Sequence, residues 1–204
     1  MSTEQPTLFG DIEPEPLAAA PPQERVDSMP ATVNEPFLAG VDPKSAYLDI
    51  HDHQELWDVA LKCDRCRLRE TCQQVVFCDG SWTSKIMFVG EGPGKDEDIQ
   101  GRPFVGRAGQ LLDKILAAAG FDRQQVYITN VVKCRPPENR LPNPDEVIQC
   151  RGFLEAQIRI IRPAIIVCLG SLASQVIIDP KARITKIRGQ WLQRQGIKIM
   201  ATFH

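Results

Sequence analysis

Residues 85–94 read KIMFVGEGPG. The unbroken apolar run gives no amphipathic period, so it predicts a strand buried on both faces, and the glycines at 90, 92 and 94 end it in a tight turn. A buried strand closed by such a turn is the opening half of a β–α unit. The turn is not a phosphate-binding P-loop, because the G-x4-G-K-[ST] spacing is missing. It is not a dinucleotide fingerprint either, since Pro93 removes a backbone donor and G-x-G-x-x-G is absent. Glu91 stands alone among these glycines at a strand's carboxyl end, a placement that suits chemistry better than solvation.

The same grammar repeats downstream. Ala108–Ala119 carries a helical period and stops at Gly120, a usual C-terminal residue. Val126–Val132 (VYITNVV) is a second apolar strand. A long helix over Asp145–Ile161 follows, with Pro144 ahead of it and Pro163 behind it. Ala164–Leu169 (AIIVCL) is a third strand, then Gly170-Ser171 and a helix to about Ile178, and Gly196–Thr202 (GIKIMAT) is a fourth. Upstream, residues 52–62 (DHQELWDVALK) form a short helix with Leu56, Val59, Ala60 and Leu61 on its apolar side. Val/Ile-rich strands alternating with helices predict an α/β fold: three layers, α/β/α, around a central four-stranded parallel sheet. Ligands of such sheets bind beyond the strands' carboxyl ends, which groups Gly90–Gly94, Asn130, Gly170 and Phe203-His204.

Residues 1–42 differ in kind. They hold seven prolines, eight acids and one base, Arg25, for a charge of −7, while the remainder carries 23 bases and 18 acids, or +5. The expectation is a disordered acidic, proline-rich tail over 1–45 and one folded domain over 46–204 that is mildly basic and able to meet phosphates. The N-terminus has neither the basic start nor the apolar stretch of a signal peptide, and no run approaches the roughly 18 apolar residues of a membrane span. A cytoplasmic protein without membrane contact is expected, and its seven cysteines are read as thiols or metal ligands.

Cys63 and Cys66 make a C-x2-C pair after the first helix, and Cys134 and Cys150 bracket a loop, RPPENRLPNPDE. A pair, a long gap and two more cysteines suit four thiolates around one metal centre, either zinc or a cubane iron–sulfur cluster. Cys72 and Cys78 are rival ligands on spacing. Cys168, inside an apolar strand, reads as a core thiol. Between Gly101 and Gly106, Phe104 sits in a loop, GRPFVG, as an exposed stacking face or as core.

GEGPG, GRPFVG-x-AG-QLL, YITNVVKCRPP, the helix of Cys150 and ITKIRGQW occur in one order over residues 55–204. Together they resemble the family-four, iron–sulfur uracil-DNA glycosylases, which implies hydrolysis of the N-glycosidic bond of deoxyuridine in single- or double-stranded DNA. The resemblance, not the spacing, selects a [4Fe–4S] cluster and implies Cys63, Cys66, Cys134 and Cys150 as its ligands. It also implies roles for site residues. His204 donates to uracil O2 as negative charge develops; Asn130 reads N3–H and O4; Phe104 stacks on the base; Glu97 lies near the position of a thymine methyl. Many uracil glycosylases place an aspartate where this chain has Gly92, so Glu91 is the carboxylate assigned to water positioning or cation stabilisation, with Gly92 against the substrate. Asp96 and Asp98 are expected in a solvated helix start.

The family continues past this histidine with a proline and a DNA-inserting loop, so a C-terminally incomplete domain is expected. Gln5-Pro6-Thr7-Leu8-Phe9 resembles the Gln-x-x-Leu-Phe peptides that dock repair proteins on the sliding clamp, and a monomer is expected. Two other readings stand beside the glycosylase: a catalytically silent iron–sulfur DNA-binding relative, and a zinc-stabilised redox α/β module.

Overall fold

The computed structural model describes residues 35–42 and 44–204. Six strands form one sheet: β1 (Asp79–Gly80), β2 (Ile86–Gly90), β3 (Tyr127–Asn130), β4 (Ile165–Leu169), β5 (Trp191–Arg194) and β6 (Ile197–Thr202). Their order is β1-β3-β2-β4-β6-β5. The inner four, β3-β2-β4-β6, are parallel, as their continuous apolar sequences require. The edges β1 and β5 are antiparallel additions that the apolar pattern did not announce.

Among the described residues, seven α-helices surround the sheet: α1 (His53–Leu61), α2 (Leu68–Thr71), α3 (Lys95–Gln100), α4 (Arg107–Ala118), α5 (Pro144–Ile161), α6 (Ser171–Ile177) and α7 (Ile184–Ile187). Side chains alternate across β2, and the alternation assigns the layers. Met87 and Val89 join one core with Leu56 of α1, Phe153, Leu154 and Ile158 of α5, and Ile177 of α6. Ile86 and Phe88 face the opposite way, against Leu112 and Leu116 of α4 together with Phe104 and Ile128. The result is the expected α/β/α sandwich.

The packed body begins before Ala46. Phe37 and Leu38 are buried, and their backbone N–H groups donate to the two carboxylate oxygens of Glu155 at 2.8 Å each. The guanidinium of Arg194 donates to the carbonyls of Phe37 and Ile177. Sequence periodicity cannot register such an anchor, because its partners lie more than a hundred residues away.

Candidate functional site: a strand-end pocket and a four-thiol cavity

β2 and β3 run in register, with Gly90 opposite Asn130 at their carboxyl ends. The register explains Gly90: a Cβ there would stand 2.5 Å from the Asn130 side-chain oxygen and 2.7 Å from Phe104 Cε2. Removing one side chain thus makes room for an amide and an aromatic ring to meet. Gly92 is similarly constrained, since its Cβ would lie 2.7 Å from Val132 Cγ2. Any side chain at that position would require Val132 to shift.

Beyond these strand ends lies an open cavity. All six residues expected at the site, Glu91, Gly92, Glu97, Phe104, Asn130 and His204, line it. Asn130 is 1% exposed, and neither its side-chain oxygen nor its nitrogen has a hydrogen-bond partner. Buried amides are nearly always satisfied within a protein, so an orphaned one facing a cavity awaits a ligand. Burial raises the Glu91 carboxyl above its ordinary range, and His204 offsets part of that rise. Phe104 and His204 hold their rings 6.0 Å apart at 40°.

Two expectations need correction. Phe104 is not an exposed platform: it is 7% exposed and packs in the α4-side core while one surface lines the cavity. Its φ of 54° lies in the left-handed region, and its carbonyl passes so close to Gly109 that a Cβ there would overlap it. Asp98 is not solvated. It is buried and accepts from the backbone N–H of Gln73 at 2.9 Å, because it caps a turn arriving from the cysteine segment; Asp96 is exposed as expected.

Glu97 lines the pocket with its oxygens already engaged. Oε1 accepts from Val105 N and Gly106 N at 2.9 and 2.8 Å, and Oε2 accepts from Gly94 N at 3.1 Å. It therefore clips the Phe104 loop to the glycine turn. The loop after Cys134 supplies Pro136, Asn139 and Arg140 to the same cavity. Glu146, fully buried at the start of α5, holds that loop: it accepts two hydrogen bonds from Arg140, one from Asn143 N and one from Arg67. Proline content marked this loop in the sequence, but nothing there paired Arg140 with Glu146.

A second, narrow cavity is lined by Cys63, Cys66, Cys134 and Cys150 together with Arg65, Arg69 and Lys133. Cys72 and Cys78 are absent from that lining, and Cys168 is fully buried in β4. Among the described residues no set of three or more His, Cys, Asp or Glu side chains converges to hold a single metal ion. The donor chemistry nonetheless fits a four-thiolate group: four thiols share one cavity with three cationic residues, and Lys133 N–H donates to Cys150 Sγ at 3.3 Å. Burial pushes the Cys150 thiol up to about 11, a cost that a bound cation reverses.

The profile of the family described as the Uracil DNA glycosylase superfamily matches residues 77–204, which include the pocket and two of the four thiols. The chain belongs to the type-4 branch of the uracil-DNA glycosylases. It is 51% identical over 147 residues to the type-4 uracil-DNA glycosylase of Thermotoga maritima, covering 70% of this chain and 76% of that protein. It is 44% identical over 152 residues to that of Archaeoglobus fulgidus, covering 71% and 76%. The enzyme of Sulfurisphaera tokodaii is 41% identical over 160 residues, covering 74% and 73%. The six-stranded sheet with helices on both faces is thus the framework of a glycosylase, and the pocket lies where the family profile and the strand ends coincide. Sequence reasoning missed Lys133 and Arg140 at this glycosylase's two cavities. A lone lysine in the apolar stretch VVKC was the available signal for the first.

Proposed function

We propose that the chain hydrolyses the N-glycosidic bond of deoxyuridine in DNA, releasing uracil and leaving an abasic site. Uracil must first leave the base stack, at a cost of a few kcal/mol. The orphaned Asn130 amide carries the reading. Its oxygen suits uracil N3–H and its NH2 suits O4, whereas cytosine offers the opposite pattern and would leave buried groups unpaired, at about 1–3 kcal/mol each. Phe104 stacks on the flipped ring. As the N1–C1′ bond breaks, its electron pair leaves with uracil, and His204 donates to O2 where the charge accumulates. Glu91 orients water toward C1′ and takes its proton. Glu97 excludes a methyl at uracil C5 by holding the Phe104 loop against the glycine turn.

Cys63, Cys66, Cys134 and Cys150 hold a [4Fe–4S] cluster, which supplies a rigid cross-link and no redox step. The four thiols lining one cavity, together with membership of the type-4 branch, favour the cluster over zinc. We propose that the protein acts on DNA in the cytoplasm as a monomer. Among the described residues no helix is long and apolar enough to cross a membrane. Gln5–Phe9, assigned to the sliding clamp, lies outside the described residues.

The test is a uracil-containing oligonucleotide followed by alkali cleavage. The wild-type protein should cut at uracil and spare cytosine and thymine, and Asn130→Ala should lose at least about tenfold in kcat/KM. A protein that binds the oligonucleotide without cutting would instead be the silent relative. Purified protein should be brown, absorbing near ~400 nm as thiolate–iron clusters do; a colourless, zinc-loaded protein would overturn the cluster.

A further inference from the structure

Lys133 is 2% exposed, and its ammonium has three oxygen partners: Thr129 Oγ1 at 2.7 Å, the Asn130 carbonyl at 2.6 Å and Gln157 Oε1 at 2.7 Å. Three acceptors use all three N–H bonds of an ammonium, so the geometry is that of a charged lysine with nothing left to donate. None of these partners is an anion. Lys133 also lines the four-thiol cavity. Its backbone N–H reaches that cavity, on Cys150 Sγ.

Lys133 thus lines the thiol cavity and, through the Asn130 carbonyl, binds a residue of the strand-end pocket. The ammonium closes the end of β3 by binding residues three and four positions back, Asn130 and Thr129. Thr129 also donates to the Phe77 carbonyl at 2.8 Å. The Asn130 side chain, by contrast, has no protein partner, so its aim depends on where its own backbone is held.

We infer that Lys133 is a positioning residue for uracil recognition, fixing the Asn130 peptide through its carbonyl so that the unpartnered amide points at the base. The inference rests on the reading of Asn130 given above. It differs from a general packing role, which would lower stability without touching recognition.

The decisive experiment is a double-mutant cycle on the full chain: wild type, Lys133→Met, Asn130→Ala and the double variant. The readouts are kcat and KM on a uracil oligonucleotide, the affinity for free uracil, and visible absorbance per protein as a check on the cluster. Lys133→Met should weaken free-uracil binding about tenfold, as expected for loss of a charged hydrogen bond. In the Asn130→Ala background the same change should cost almost nothing. Equal losses in both backgrounds, or unchanged uracil affinity with absorbance retained, overturn the role of Lys133. Unchanged affinity in Asn130→Ala itself overturns the reading of Asn130, and the inference with it, so the two failures are told apart. If the methionine variant yields no soluble protein, Lys133→Gln, which keeps two donors, is read by the same criteria.

Discussion

At the residue scale the site is built from groups kept in states they would not choose in water. Glu91 is the clearest. Burial raises its carboxyl above the ordinary 4.5, against a partial opposing pull from His204. If Glu91 must be ionised to take a proton from water, kcat/KM should show an acid limb with its midpoint above 4.5, and Glu91→Gln should abolish that limb while reducing turnover by orders of magnitude. A loss below roughly tenfold would remove Glu91 from the chemistry. The stability effect has the opposite sign. A carboxyl whose folded pKa is raised stabilises the fold below its ordinary pKa, and that contribution is lost as pH rises through the folded value. At neutral pH Glu91→Gln should therefore melt slightly higher than wild type, which a thermal scan checks.

The residue scale is also where the sequence was least legible. Glu91, Asn130 and His204 stood out because each ends an apolar strand, and the turn chemistry around them is local. Asp98 and Lys133 did not, because a charged side chain looks alike in sequence whether it faces water or a buried ring of acceptors.

Elements were easier to read. The four parallel strands announce themselves by short apolar stretches rich in Val and Ile, though Lys198 interrupts β6, and the helices by their period and their flanking glycine and proline. The edges escaped for physical reasons: β1 is two residues long, and β5 (WLQR) is largely exposed, so neither has a buried face to print a pattern. The start of α5 carries the prediction at this scale. Hydrogen bonds from Arg140, helped by Asn143 N and Arg67, hold the Glu146 carboxyl at about 2, below its ordinary 4.5. A depressed carboxyl contributes stability above its ordinary pKa, and that contribution fades as pH falls through the folded value. The melting temperature of the wild type should therefore fall between about pH 4.5 and 2, and Glu146→Gln should flatten that part of the decline. Parallel acid profiles for the two proteins would show that the Arg140 clamp adds nothing to the fold.

For the whole molecule, the two cavities share a border. The segment from Cys134 to Cys150 leaves the thiol cavity, gives Pro136, Asn139 and Arg140 to the pocket and returns on α5. Stripping the proposed cluster with an oxidant and a chelator should then lower the melting temperature and concentrate protease cuts at residues 135–143, as mapped by mass spectrometry. Cuts distributed evenly over the domain would mean that the cluster supports the fold as a whole and not this loop. The family and the layered fold were visible in the order of motifs, whereas the juxtaposition of the two cavities needed three dimensions.

Phe104 illustrates what selection has had to tolerate. A bulky residue at φ 54° is a misfit, and glycine or asparagine would relax that backbone. A screen for heat resistance should thus find Phe104→Gly or Phe104→Asn tempting, and the winners would have lost the ring proposed to stack on uracil. Position 104 is a place where directed evolution for robustness and directed evolution for repair would part company, so the two traits have to be selected together.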